Sequence, residues 1–172
     1  MIEYQKLFAG KKITLMGLGL LGRGVGDAAF LASAGADLTV TDLKSSVDLA
    51  TSINALKKFK NIRFVLGKHE LEDFQKKVTM VVKAAGVPLD SQFILEAEKN
   101  GVPVTMSSAL FAEYTPAKVV GVTGTRGKST VTHLLYEILK AHQETTQETG
   151  NVLLGGNVLG VSTLELLPNS AN

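Results

Sequence analysis

The chain has 172 residues, 45% apolar and 20% charged, which is enough for a globular core. Its 18 Lys and Arg against 16 Asp and Glu leave a net charge of +2, which argues against a nucleic-acid surface. There is no cysteine, so disulfides and thiolate metal sites are excluded; no apolar run is long enough to span a bilayer; and Met1-Ile2-Glu3-Tyr4 does not read as a signal peptide. The expectation is a cytoplasmic protein that engages neither nucleic acid nor membrane.

The first two thirds alternate strand and helix patterns. Residues 13–16 form an apolar run ending at Gly17, and residues 22–34 are alanine-rich and helix-compatible, with Gly35 as the stop. A second strand is expected over 38–41, a helix over 47–59 with Leu49, Ile53 and Leu56 on one face, and a third strand over 62–66. A fourth strand, 78–82, is apolar enough to be covered on both faces. A helix over 91–99 stops at Asn100-Gly101; a fifth strand over 102–105 and a short helix over 107–113, capped by Ser107 or Ser108, complete the series. Repeated β-α pairs with short connections imply parallel strands, so residues 1–114 read as a Rossmann-like open α/β sheet. Thr115-Pro116-Ala117 reads as a hinge, with Tyr114 packed beside it.

The first chemical signal is Gly17-Leu18-Gly19-Leu20-Leu21-Gly22, a G-x-G-x-x-G turn between a strand and a helix, with Asp42 twenty positions after Gly22. Gly17 makes the tight turn, Gly19 lets backbone approach a phosphate, and Gly22 lets the helix pack closely. Asp42 can accept hydrogen bonds from a ribose hydroxyl or a base N–H. The pattern fits NAD or a nucleoside-diphosphate sugar equally well.

The second signal follows the apolar residues Val119, Val120 and Val122, read as a buried strand. Gly121-Val122-Thr123-Gly124-Thr125-Arg126-Gly127-Lys128-Ser129-Thr130 leads into a helix with Val131, Leu134, Leu135, Ile138 and Leu139 at helical spacing. This is the layout of a phosphate-binding loop, although Val122 stands where the standard pattern has its first glycine. Loop amides and the helix N-terminus would hold phosphates, Lys128 would reach the β- and γ-phosphates, and the Ser129 hydroxyl would ligate Mg²⁺. Arg126 could touch a phosphate or point outward. A dehydrogenase has no need of a second such loop; an enzyme that joins a nucleotide-linked substrate to something else at the expense of ATP needs both.

Residues 115–172 hold few elements: this strand and helix, a polar run over 143–149, a short strand over 152–154 and a glycine turn. A piece of roughly 58 residues is marginal as a domain, so it reads as the truncated start of an ATP-binding α/β domain. Leu164, Leu166 and Leu167 then read as core awaiting its neighbours. His69, His133 and His142 have no shared metal-ligand spacing and read as surface or capping residues. The lysines at 57, 58, 60, 76 and 77 read as solvated faces.

Val122-Thr123-Gly124-Thr125-Arg126-Gly127-Lys128-Ser129-Thr130, with its irregular glycine spacing, resembles the ATP loop of the Mur ligase family of peptidoglycan synthesis. The early glycine loop, Val40-Thr41-Asp42 and Gly155-Gly156-Asn157-Val158-Leu159-Gly160 resemble the member that adds D-glutamate to UDP-N-acetylmuramoyl-L-alanine. The resemblance implies that Gly19, Leu20 and Leu21 lie against the uridine diphosphate, with Asp42, Leu43 and Lys44 around the uracil. It implies that Gly86 lines the uridine site and that Asn157 contacts the same substrate. ATP would be held by Gly124, Thr125, Arg126, Gly127, Lys128, Ser129 and Thr130, with Lys128 as the catalytic residue and Ser129 as the Mg²⁺ ligand. The implied reaction is an ATP-dependent ligation through an acyl phosphate, in a monomeric cytoplasmic enzyme of cell-wall synthesis. Ala84-Ala85-Gly86 departs from the family's frequent Ser-Pro-Gly, which removes a hydroxyl and loosens the turn. The amino-acid-binding part is not among these 172 residues, so alone they are expected to be inactive. The alternatives are another Mur-type ligase or an NAD(P)-binding Rossmann oxidoreductase domain.

Overall fold

The computed structural model describes residues 2–147, 150–156, 158 and 160–170. Five strands, β1 (Lys12–Met16), β2 (Asp37–Asp42), β3 (Ile62–Leu66), β4 (Met80–Lys83) and β5 (Val104–Thr105), form one parallel sheet in the order β3-β2-β1-β4-β5. The helices are α1 (Ile2–Phe8), α2 (Arg23–Ser33), α3 (Ala50–Leu56), α4 (Gln92–Lys99), α5 (Ser107–Tyr114) and α6 (Lys128–Thr146). Two 3₁₀ turns, Leu71–Phe74 and Leu164–Asn169, complete the described elements. The strand order runs outward in both directions from β1 and β4, so the reversal point of an open α/β sheet lies between these two strands.

Alternation along the strands sorts the core into two layers. Ile13 and Leu15 of β1, Leu38 and Val40 of β2, and Val82 of β4 face a layer built with Phe8, Phe30, Leu31, Leu49, Leu56 and Leu110. Met16 and Val81 face the other way, onto Phe74, Ile94, Ala97 and Val102. The prediction that the fourth strand is covered on both faces therefore holds for Val81 and Val82.

The sequence pattern missed α1. Tyr4 and Phe8 meet Phe30 edge to face, with ring centroids 5.6 and 6.1 Å apart, and Phe8 meets Tyr114 at 5.7 Å. The helix expected over 47–59 shortens to Ala50–Leu56, because Ser45 and Asp48 close a local turn ahead of it (Ser45 Oγ to Asp48 Oδ2, 2.7 Å). The serine cap of α5 is absent: Met106 is the cap residue, and the Ser107 hydroxyl turns to the Asp27 carboxylate instead.

Two strand expectations fail. Residues 119–122 are not in a strand, and Val119 and Val120 are 51% and 63% exposed. Residues 152–154 are likewise irregular. Each lacks a hydrogen-bonded neighbour among the described residues, and an apolar run becomes a strand only where a ladder partner satisfies its peptide groups. The helix after the second glycine loop does form as α6, extending through Gln143 to Thr146, but none of its residues is buried.

Leu164 and Leu167 overturn the expectation of an unsatisfied cluster. Both are 0% exposed and belong to the core layer of α2 and β1, while Leu166 is half-buried against Gly155. The 160–170 segment packs on the sheet unit through Ser162 Oγ to Asp27 Oδ1 (2.5 Å) and Tyr4 Oη to Leu167 O (2.8 Å). Burial pushes the Asp27 carboxyl above the usual range; the bonds from Ser162, Ser107 and the Leu164 amide pull the other way, and the charge of Glu165 adds to the rise.

Candidate nucleotide sites

The first glycine loop leaves the carboxyl end of β1, beside the reversal point. Gly17, Gly19 and Gly22 have φ of 100°, 65° and 83°, a region that side-chain-bearing residues avoid. A Cβ on Gly17 would stand 2.8 Å from the Ala84 Cβ, so the turn after β4 presses on the turn after β1. Gly22 caps the N-terminus of α2, and a Cβ there would stand 3.2 Å from the Gly160 Cα.

Asp42 ends β2 with 6% exposure, and both its carboxylate oxygens are engaged by backbone. Oδ2 accepts the Gly19 N–H at 2.9 Å and Oδ1 accepts the Lys44 N–H at 2.9 Å. The carboxylate thus ties the glycine loop to the loop after β2. Each oxygen has a second lone pair, so a ligand N–H or O–H can still be accepted. Leu20 and Leu21 of the glycine loop and Leu43, next to Asp42 in the chain, are exposed apolar side chains. Gly19 keeps an open side, with no atom within 4 Å of where its Cβ would be, but its amide is committed to Asp42.

His69 departs from the surface role read from sequence. It is half-buried, its Nδ1 lies 2.6 Å from Thr41 Oγ1, and its ring stacks edge to face on Phe93 at 4.9 Å and Phe74 at 6.3 Å. Burial lowers its pKa, and the nearby Asp42 charge opposes that fall. Nothing in residue spacing marks this contact, because an isolated bridge between Asp42 and Lys68 brings the two segments together.

The second loop is exposed. Gly124 and Gly127 have φ of 151° and 75°, and Gly127 caps α6. Lys128 Nζ donates to Gly124 O at 2.6 Å, so the ammonium folds back across the loop. Among the described residues the amides of Gly124, Thr125, Arg126 and Gly127 meet no backbone acceptor. Free N–H groups, a helix N-terminus and a lysine over one turn suit a polyphosphate. Ser129 and Thr130 open the helix beside them. Among the described residues no group of three or more His, Asp or Glu could hold a metal, so a cation here would be carried chiefly by phosphate oxygens and water, with the Ser129 hydroxyl as protein donor. His133 bonds back to Ser129 O at 2.8 Å and stays on the exposed surface, as expected. A groove of about 700 Å³ runs between α6 and the segments on either side of it, with Lys128, Ser129, Val120, Leu135 and Leu139 in its walls.

A backbone hydrogen bond also connects the later glycine turn to the first loop: the Gly160 amide donates to Leu21 O at 3.0 Å. Asn157 lies outside the described residues. Gly86 sits in the turn after β4, next to the Gly17 turn through Ala84.

A family profile, the N-terminal domain of MurD-like Mur ligases, matches residues 11–106. The chain belongs to the Mur ligase family. It is 42% identical over 160 residues to UDP-N-acetylmuramoylalanine–D-glutamate ligase of Roseiflexus sp. (strain RS-1), covering 93% of this chain and 32% of that protein. It is 44% identical over 151 residues to the ligase of the same name from Borreliella burgdorferi (strain ZS7), covering 87% and 31%. A solved pseudomurein peptide ligase type C from Methanothermus fervidus is 29% identical, covering 77% of this chain and 26% of that one, with a TM-score of 0.49. The chain spans about a third of the length of the curated Mur ligases it matches. Among the described residues no helix is long and apolar enough to cross a membrane.

Proposed function

We propose that these residues are the nucleotide-binding part of a cytoplasmic, monomeric ligase that adds D-glutamate to UDP-N-acetylmuramoyl-L-alanine at the expense of ATP. Residues 1–114 serve as the uridine-substrate domain, and residues 115–172 as the opening portion of the ATP-binding domain. The observation that carries this reading is the pair of loops on one chain: a glycine loop tied to Asp42 at the reversal point of the sheet, and a second whose Gly124 to Gly127 amides lie open beside Lys128.

On this reading the crevice between β1 and β4 receives the uridine diphosphate. Leu20 and Leu21 cover its apolar parts, and Asp42 with Leu43 and Lys44 meets the base. Gly86 lines the uridine site, and Asn157 is assigned a contact with the same substrate. Gly124 to Thr130 hold the triphosphate, with Ser129 on Mg²⁺. ATP, when bound, supplies the phosphoryl group that activates the substrate carboxylate. The approach of that carboxylate to a triphosphate is repulsive, and the Lys128 ammonium and free loop amides offset the charge. Lys128 must exchange its bond to Gly124 O for phosphate, so the loop is held closed by a contact that the ligand replaces.

Calorimetric titration of the 172-residue chain tests this. Binding of UDP-N-acetylmuramoyl-L-alanine and of an Mg²⁺–ATP analogue, without turnover, is the expected result. Binding of NADH instead would favour the oxidoreductase reading. No heat from the uridine ligand at millimolar concentration would overturn the proposal.

A further inference from the structure

Lys83 is the last residue of β4, paired with Met16 at the reversal point of the sheet. It is 9% exposed, and no ion pair among the described residues includes it. A buried ammonium without a carboxylate must be satisfied by other acceptors. Its acceptors here are two carbonyls of the turn that follows it, Val87 O at 2.9 Å and Ala84 O at 3.5 Å. The same turn is closed by the Val87 N–H on Ala84 O at 3.1 Å and fixed to the sheet by the Ala84 N–H on Met16 O at 2.8 Å.

This turn is Ala84-Ala85-Gly86-Val87, with neither a proline nor a hydroxyl to stiffen it. The lysine supplies the stiffness from outside the turn. It also sets an orientation. In a trans peptide the N–H points opposite to the C=O. With Ala84 O drawn toward Lys83 and Val87, the Ala85 N–H is turned away from them. Neither the Ala85 nor the Gly86 amide has a backbone acceptor among the described residues. The turn that carries these two unbonded donors packs on Gly17 through the Ala84 Cβ, at the reversal point to which the uridine nucleotide is assigned.

We infer that Lys83 is a positioning residue for the uridine nucleotide: its ammonium clamps the 84–87 turn so that the Ala85 and Gly86 amides meet the ligand. This rests on the proposed function for the identity of the ligand, but the clamp itself can be measured without ligand. Lys83→Met and Lys83→Arg are made in the full 172-residue chain. Calorimetry reads affinity for UDP-N-acetylmuramoyl-L-alanine and for an ATP analogue, and amide hydrogen exchange reads the Val87 N–H.

Lys83→Met is expected to weaken the uridine ligand at least tenfold and to speed Val87 exchange at least tenfold. Affinity for the ATP analogue stays unchanged, which a general loss of stability would not allow. Lys83→Arg, which keeps a charged donor, is expected to fall between Lys83→Met and the parent chain in both readouts; if Lys83→Met fails to fold, Lys83→Arg alone decides. Faster Val87 exchange with unchanged uridine affinity overturns the inference, as does unchanged exchange. A parent chain that binds no uridine ligand, with Val87 still loosened by Lys83→Met, sinks the nucleotide reading and the positioning role with it but leaves the clamp standing, so the two failures are told apart.

Discussion

The two glycine loops of this chain both lead into a helix but have opposite surroundings. The first is wedged between Ala84, Asp42 and Gly160, and α2 behind it is buried along Ala28, Leu31 and Ala32. The second stands in the open, and α6 behind it has no buried residue. Glycines and helical spacing suffice to make a turn and a helix in both places. Among the described residues, only the first has neighbours that convert apolar spacing into burial. Local pattern decides the element, and the rest of the molecule decides what that element is worth.

The sharpest way to break the comparison is to remove equivalent side chains from the two regions. Leu164→Ala, at a fully buried site, should cost about 2–5 kcal/mol by urea unfolding, from lost transfer energy and the cavity left behind. Lys128→Ala should leave the unfolding midpoint in place, because the side chain is exposed, yet weaken an Mg²⁺–ATP analogue by roughly a factor of ten or more in calorimetry, in line with a lost charge-assisted donor.

Asp27 adds a pH test of the packed region. Its carboxyl is held above its ordinary 3.8, chiefly by burial. A raised folded value means that the neutral carboxyl is favoured in the native state, so its stabilisation is complete below the ordinary value and is lost as pH rises through the raised one. Unfolding measured from pH 3.5 to 7 should therefore show a loss in the parent chain that Asp27→Asn, neutral throughout and still able to accept from Ser162, does not share. Smallest of all, Leu134→Ser on exposed α6 should shift stability by no more than about 0.5 kcal/mol. A large effect there would mean that α6 is covered in solution.

The sheet was legible because its strands are apolar runs set off by glycine and polar turns, and parallel order follows from alternating β and α patterns. Gly17, Gly22 and Asp42 were legible because a motif of fixed spacing marks them. What escaped was whatever depends on distant partners. Gly26 has no motif, but a Cβ there would stand 2.5 Å from the Ser162 Cβ, so α2 needs it to accept the returning segment. His69 and Lys83 carry no spacing signal either; one is recruited by Thr41 and the other by the turn it precedes. The strand expected over 119–122 fails for the same reason in reverse: its residues suit a sheet, and the sheet beside them is missing among the described residues.

The docking of residues 160–170 on α2 changes the standing of everything between α5 and Gly160. The backbone departs at Thr115 and comes home at Gly160, anchored at each foot by Leu110 on one side and Leu164 with Leu167 on the other. The ATP-loop stretch is thus an excursion with both feet planted, and the entropy of closing such a detour rises only with the logarithm of its length. A protease that nicks it should leave two fragments still clasped together, and splicing a short glycine-serine bridge in its place should spare the crevice between β1 and β4, at the cost of the contact assigned to Asn157.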